Sequence, residues 1–474
     1  MEKPFNFFTF TYIIISVVAA VHILLYKENV KSSIGWIAVI FFSPFIGTLF
    51  YVLFGINRVK RKSLRLRRKS PFHFKLFAQN KNLRQDFYSK HKKLIDFSSK
   101  IYPQDFTLID AVAIVQNGDN AYPQMAEIIK SAKREILISS YIFDFDNETQ
   151  KFLEAFKNAT DNGAKIKVLV DGIGGFSFSK KSIQKKLLKI KGIEYASFLP
   201  PHIPAAMPFA NLRNHRKIMI IDGKTAFFGG MNLSRANVLT NNKKGIVDIT
   251  LKISGPIIKQ MCDIFENDWE FASGKSFTPF MAETNVTKNE NLVIPARIIS
   301  DGPDSKTPII KTLFSGAISF AQKKVLIVTP YFLPDDEVLF LLKTTALKGV
   351  DVEIFIPSES NHFFMDWAAE PVFGTLIESG VKIYKTDKPF DHSKIFMIDE
   401  EWIFAGSANW DTRSFELNFE SIIELFSKDL AKEFNLIVDC KRQKAKKITI
   451  ADCKNKSIYT LLRNKASRLL MPYY

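Results

Sequence analysis

With 474 residues, the chain is long enough for two or three domains with full hydrophobic cores. Its 66 Lys and Arg against 48 Asp and Glu leave a formal charge of +18, a balance that suits an anionic partner, either nucleic acid or an anionic lipid surface. Cys262, Cys440 and Cys453 are odd in number, far apart and outside any CxxC or CxH pattern, which argues against a disulfide framework or a structural zinc and for a reducing compartment.

Residues 6–26 form an apolar run without formal charge, long enough to cross a bilayer. After Lys27-Glu28-Asn29-Val30-Lys31 a second uncharged run extends from Ile34 to Ile56. The first run is too long for a signal peptide, lacks a small-residue cleavage site and is followed at once by the second, so a transmembrane helical hairpin is expected. Pro44 lies inside the second run and predicts that this segment kinks or re-enters. Arg58, Lys60, Arg61, Lys62, Arg65, Arg67, Arg68 and Lys69 follow, which places that end on the cytoplasmic side by the positive-inside rule. The same run is either a topology signal alone or a contact for anionic lipid.

Beyond a polar, Lys-rich connector, two half-chains repeat one order of elements. A helical stretch (residues 126–133, then 309–321) precedes an apolar strand (136–141, then 325–331). A helix closing at Gly163 or Gly349 precedes a second strand (166–170, then 352–356), and a third follows (218–221, then 395–398). Short, continuously apolar strands alternating with helices predict a mixed sheet buried between helices. The expected fold is α/β, with two similar lobes, each a mixed β-sheet flanked by helices, preceded by the N-terminal transmembrane hairpin. The expected divisions are the hairpin at 1–57, the basic connector at 58–105, a first half at 106–285 and a second at 286–474. Phe363, Phe364 and Trp367 are expected on a buried helix face. The Pro-rich stretch 198–209 reads equally as a loop dipping toward acyl chains or as core.

Each third strand opens with the same chemistry. His215, Lys217, Asp222, Gly229 and Asn232 recur as His392, Lys394, Asp399, Gly406 and Asn409, all offset by 177 (392 − 215). On a strand, residues two apart share a face, so each half presents an imidazole beside a fixed cation. Such groups suit a phosphodiester and the extra charge of its transition state. The candidate catalytic string is therefore His215, Lys217, Asp222, His392, Lys394 and Asp399, with Asp222 and Asp399 favoured for a structural turn. Asn232 and Asn409, with Gly230 and Ser407 in the turns before them, are candidate substrate-binding positions. Asp248 and Glu420 follow the two motifs as candidate carboxylate partners. Neither a metal nor a cofactor is called for, because the lysines already offset phosphate charge and no HExxH, paired CxxC or phosphate-binding loop is present.

The HxKxxxxD pair resembles the phospholipase D superfamily, and residues 36–58, Asn214-His215-Arg216-Lys217, residues 406–420 and Arg468-Leu469-Leu470 resemble its bacterial cardiolipin synthases. The resemblance implies that the two motifs meet between the lobes, that His215 is the nucleophile and His392 the acid/base, and that Asp248 and Glu420 orient the imidazoles. Where the family has Trp-Arg-Asp this chain has Ile246-Val247-Asp248, which makes Asp248 the less secure carry-over. The implied activity joins two molecules of phosphatidylglycerol, with release of glycerol, at the cytoplasmic face of the cell membrane; multi-pass anchoring keeps enzyme and lipid together. Nucleic acid is not expected as a partner, and the oligomeric state is left open. Other headgroup exchange, hydrolysis by a phospholipase D, a tethered nuclease and a non-enzymatic scaffold are the alternatives.

Overall fold

The computed structural model describes residues 7–27, 30–55, 83–144, 150–174, 184–200, 212–282, 294–303, 305 and 307–469. The basic run at 58–69, most of the Pro-rich stretch and nearly all of the polar junction between the halves lie outside them. The chain divides into two compact units, residues 1–65 and 66–474.

In the first unit the helix Phe7–Tyr26 faces Val30–Phe42, and Ile23, Ile40 and Tyr51 close a small core between them. The second apolar run is not one helix. It breaks at Ser43, resumes as Pro44–Phe50 and ends in a π-turn over Tyr51–Gly55. Pro44 supplies no N–H to continue the preceding helix and suits the first position of a new one. Gly47 lets the short helix fold back, since a Cβ there would lie 2.6 Å from the Val39 carbonyl oxygen. Among the described residues no helix is long and apolar enough to cross a membrane. Where a hairpin of two spanning helices is expected, the described residues form one apolar helix, Phe7–Tyr26, packed on a second that is broken at Ser43.

The second unit contains the duplication. Its seven-stranded sheet runs, in spatial order, Ala111–Gln116, Ile249–Ser254, Thr225–Gly229, Lys217–Ile221, Glu135–Ser140, Lys165–Asp171 and Ile193–Phe198. The nine-stranded sheet repeats that order as Ile294–Asp301, Glu420–Phe426, Trp402–Gly406, Ile395–Ile398, Lys324–Val328, Asp351–Pro357 and Lys382–Thr386, with Thr107–Ile109 and Lys446–Lys447 added at its edges. In both, the motif strand is antiparallel to its neighbour, Glu135–Ser140 or Lys324–Val328, as in Ile136 opposite Ile221 and Val325 opposite Ile398. The strands after that one are parallel, as βα crossovers require. Every residue of Lys217–Ile221 and Ile395–Ile398 is buried, which explains why both runs are apolar without alternation.

Each lobe has its own core, one around Ile138, Phe156, Val168 and Phe227, the other around Leu313, Ile327, Ile354 and Phe404. A fully buried side chain of this kind contributes about 1.5–3 kcal/mol. The segment read as a connector carries the helix Gln85–Ile101, and Ile95, Tyr102 and Phe106 enter the core of the second lobe. The aromatic trio at 363–367 departs from expectation: Phe363 is 52% and Phe364 46% exposed. The helix Phe363–Ala369 buries Ala368 and Ala369 instead, leaving its aromatic end outside.

Candidate active site

The two lobes are stitched at matching points. Ile246–Val247 of the first pairs in parallel with Phe390–Asp391 of the second, and the His392 amide donates to the Val247 carbonyl at 2.7 Å. At the related position Asn214 bridges Phe419, and the His215 amide donates to the Phe419 carbonyl at 2.9 Å. Each lobe thus delivers the residue beyond its own pairing segment to the other lobe's histidine. Asp248 Oδ2 lies 2.7 Å from His392 Nδ1, and Glu420 Oε1 lies 3.2 Å from His215 Nδ1. Both imidazoles bond a carboxylate through Nδ1, which leaves Nε2 of each as the reactive nitrogen.

The lysines share a second contact. Lys217 Nζ donates to the His215 carbonyl at 2.6 Å, and Lys394 Nζ to the His392 carbonyl at 2.5 Å. Lys394 Nζ also sits 2.9 Å from His392 Nδ1. A Cβ placed on Gly230 would meet Asp248 Oδ1 at 3.0 Å and Lys394 Cδ at 3.2 Å, so this glycine gives the second lobe's lysine room beside the first lobe's carboxylate. Its counterpart Ser407 donates to Glu420 Oε2 at 2.5 Å, and Asn418 Nδ2 donates to Glu420 Oε1 at 3.1 Å. Tyr141 walls the pocket, its ring centroid 4.5 Å from that of His215.

Burial sets the electrostatics. It pushes the Lys394 ammonium down to about 7 and that of Lys217 to about 8, although the surrounding carboxylates act the other way. Burial, with Lys394 beside it, holds His392 near 4 against the pull of Asp248. His215 is lowered by the same pair of causes, burial and Lys217, opposed by Glu420. Burial would raise Glu420, but the His215 imidazole, Lys217 and the Ser407 hydroxyl together keep it below the ordinary carboxylate range. The histidine side chains remain 21% and 16% exposed, so the site opens to its surroundings at the two rings.

Two members of the motif string lie elsewhere. Asp222 and Asp399 follow the far ends of their strands, about 16 Å from the lysines at the usual strand rise. Asp222 accepts the backbone N–H groups of Lys133, Arg134 and Glu135, and Asp399 those of Gln322, Lys323 and Lys324. They pin the starts of Glu135–Ser140 and Lys324–Val328 and do not reach the imidazoles, which corrects their inclusion in the catalytic string. Asn232 spends its side-chain oxygen on the Ile142 amide at 3.1 Å, while the equivalent oxygen of Asn409 is buried without a hydrogen-bond partner among the described residues.

Sequence reasoning passed over a supporting layer. Arg216 points away from the imidazoles and ties the lobes: its guanidinium pairs with Asp268 and donates to the Glu420 carbonyl at 3.1 Å, Ser300 Oγ at 2.6 Å and the Asp301 carbonyl at 3.0 Å. Asp171 accepts from the Asn214 amide at 2.8 Å and pairs with Arg213 at 3.2 Å, fixing the entry to the motif strand. A signal existed for both, since an Asp closing a buried apolar strand and an Arg on the inward side of one each require a partner.

Fold and paired motifs together define a two-lobed protein of the phospholipase D superfamily. The family model "Cardiolipin synthase, PLD-like domain" matches residues 125–269 and 315–439, and "Phospholipase_D-nuclease N-terminal" matches 14–55. The chain belongs to the cardiolipin synthase family of phosphatidyltransferases. The cardiolipin synthase of Clostridium perfringens (strain SM101 / Type A) is 32% identical over 462 residues, covering 94% of this chain and 95% of that protein. That of Alkalihalophilus pseudofirmus is 29% identical over 463 residues, covering 95% and 91%. The crystal structure of phosphatidylserine synthase from Haemophilus influenzae Rd KW20 shares the fold at a TM-score of 0.59 and 16% identity, covering 77% of this chain and 96% of that one.

Two predictions follow from these contacts. Asp222→Ala or Asp399→Ala frees three strand-leading N–H groups and should destabilise the protein by about 1–3 kcal/mol, with turnover below the melting range retained; loss of turnover in a fully folded variant would give these residues a chemical role. The lysine charges are present below their lowered pKa values and lost above them, so KM for an anionic lipid should rise between about pH 7 and 9. Lys394→Arg should move that rise to higher pH, and a KM flat from pH 6 to 10 would show that the lysines stay charged.

Proposed function

We propose that the protein makes cardiolipin from two phosphatidylglycerol molecules, releasing glycerol, through a phosphatidyl-histidine intermediate. The observation that carries this reading is the reciprocal pairing of Asp248 with His392 and Glu420 with His215, which fixes two imidazoles with reactive Nε2 atoms beside two lysines. A two-step phosphoryl transfer needs one neutral nitrogen to attack and one proton carrier.

His215 Nε2 attacks phosphorus, the bond from phosphorus to the departing glycerol oxygen breaks, and His392 gives that oxygen its proton. A second phosphatidylglycerol then enters. His392 takes the proton from its glycerol hydroxyl, the freed oxygen attacks phosphorus, and the bond to His215 breaks. Glycerol is released in the first half and cardiolipin in the second, with the enzyme restored. Lys217 and Lys394 offset the added charge in both transition states, and the amides of Asn232 and Asn409 are proposed to contact the phosphate oxygens. Burial and Lys394 hold His392 near 4, and in this reading the negative charge of a bound phosphate raises its affinity for a proton. The same depression favours His392 as the neutral attacking group, which is the reading with the two roles exchanged.

A membrane setting fits both the substrate and the first unit, where Val18, Leu24, Leu25, Ile34, Phe41 and Phe42 are exposed around a very small core. Large apolar side chains left outward on both helices suit a lipid environment. The basic segment that follows favours a cytoplasmic catalytic part.

Purified full-length protein mixed with phosphatidylglycerol vesicles should yield cardiolipin and glycerol in equal amounts, read by mass spectrometry, without added nucleotide. Phosphatidic acid as the sole product would make the protein a hydrolase. His215→Ala and His392→Ala should each abolish turnover, and full activity in either would reject a shared site.

A further inference from the structure

The helix Ile458–Leu469 is amphipathic in the reverse of the usual sense. It turns Asn464 and Ser467 inward, 2% and 6% exposed, and leaves Ile458, Tyr459, Leu462 and Leu469 outward at 73%, 72%, 64% and 79%. Those four positions recur at helical spacing and form one stripe. A helix that packs its polar residues and presents its large apolar ones has a second environment to satisfy.

Its neighbour extends the stripe. Asn464 Nδ2 donates to Glu370 Oε2 at 2.7 Å and Arg468 to the Ala368 carbonyl at 3.4 Å, so the helix lies along Phe363–Ala369. The outward Phe363 stacks edge-on against Trp367 at 4.9 Å, and the Arg463 guanidinium covers the same Trp367 ring at 4.1 Å. Residues 453–469 contain Lys454, Lys456, Arg463, Lys465 and Arg468 and no acidic residue; Lys454, Lys456 and Arg468 pair with Glu378, Glu370 and Asp336, and Arg463 and Lys465 are the cations left beside the stripe. Apolar and aromatic side chains ringed by Lys and Arg match the boundary of an anionic bilayer, where rings and aliphatic chains enter below the headgroups and cations stay among the phosphates. The patch also adjoins the chemistry. His362, the residue before Phe363, lies 5.6 Å from Tyr331 between ring centroids, and Tyr331 lies 6.3 Å from His392.

We infer that the surface formed by Ile458–Leu469 and the aromatic end of Phe363–Ala369 is a second membrane contact, which seats the catalytic body on an anionic lipid surface beside the mouth of the active site. The inference extends the reading of the substrate as a membrane phospholipid, but its physical part, insertion of the stripe, does not require that reading.

Two measurements on the full-length chain test it. In a Cys440→Ser, Cys453→Ser background, where Cys262 is buried, a fluorophore on Leu462→Cys is read in phosphatidylcholine vesicles with and without phosphatidylglycerol. The inference expects quenching by nitroxide-bearing lipids and protection from aqueous iodide when phosphatidylglycerol is present. Iodide quenching in both vesicle types would overturn it. So would protection accompanied by energy transfer between labelled copies, because the patch would then be covered by a second copy of the chain. In the second measurement, the double variant Tyr459→Glu, Leu462→Glu should lose roughly fivefold or more of its turnover on phosphatidylglycerol vesicles while keeping parental turnover on monomeric short-chain phosphatidylglycerol. Unchanged turnover on vesicles would overturn the inference. A parent chain that makes no cardiolipin but still inserts the label would reject the proposed function and leave this surface standing.

Discussion

Everything in the catalytic body depends on an exchange: each lobe provides a histidine and receives from the other lobe the carboxylate that holds it. Asp248 belongs to the first lobe and bonds His392, and Glu420 belongs to the second and bonds His215. Neither imidazole takes its carboxylate from its own lobe. The short parallel pairing of Ile246–Val247 with Phe390–Asp391, and the related bridge of Asn214 with Phe419, are the covalent chain's means of enforcing that exchange. A duplicated fold becomes one site because its two copies complete each other.

The exchange also governs the electrostatics. Burying two lysines beside two imidazoles is costly unless anions are buried with them. Asp248 and Glu420 are fully buried and serve as counter-charges, yet the lysines are still held well below their ordinary pKa. Burial outweighs the two carboxylates at the lysines, and an arriving phosphodiester adds a further counter-charge beside them. Ser407 and Asn418 fasten Glu420, whereas Gly230 leaves Asp248 open to Lys394, so the two halves are related by sequence but unequal in environment. That inequality lets one imidazole attack and the other carry a proton.

Much of this was legible in the sequence, and the part that was not has physical causes. The repeated apolar strands, the Gly163 and Gly349 helix ends and the in-phase motifs are local patterns, and the sheets repeat them strand for strand. Asp248 and Glu420 were legible as carboxylates, but their crossing was not, because order along the chain places each acid after its own lobe's motif and only tertiary pairing reassigns it. Asp222 and Asp399 sit inside the recurring string but follow the strand, which favours a structural turn for them, and the three backbone groups on each carboxylate supply the partners that the sequence does not name. Arg216 lies between His215 and Lys217, and its partners Ser300 and Asp301 belong to the other lobe, so its role in joining the lobes shows only in the tertiary structure. Pro44 marked the broken helix correctly, whereas Phe363 and Phe364 were misplaced because aromatic spacing does not say which face the neighbours cover.

The exchange of carboxylates is tested most directly by trapping the enzyme-bound intermediate with isotopically labelled phosphatidylglycerol and mapping it by peptide mass spectrometry in Asp248→Asn and Glu420→Gln. With His392 as the proton carrier and Asp248 as its partner, Asp248→Asn should accumulate a phosphatidyl group on His215 that transfers only slowly to an acceptor. Glu420→Gln should form little or none. The opposite pattern with the adduct still on His215, accumulating in Glu420→Gln and failing to form in Asp248→Asn, would contradict the crossed pairing as it operates in the reaction, whereas the same pattern on His392 would exchange the two roles and keep the crossing.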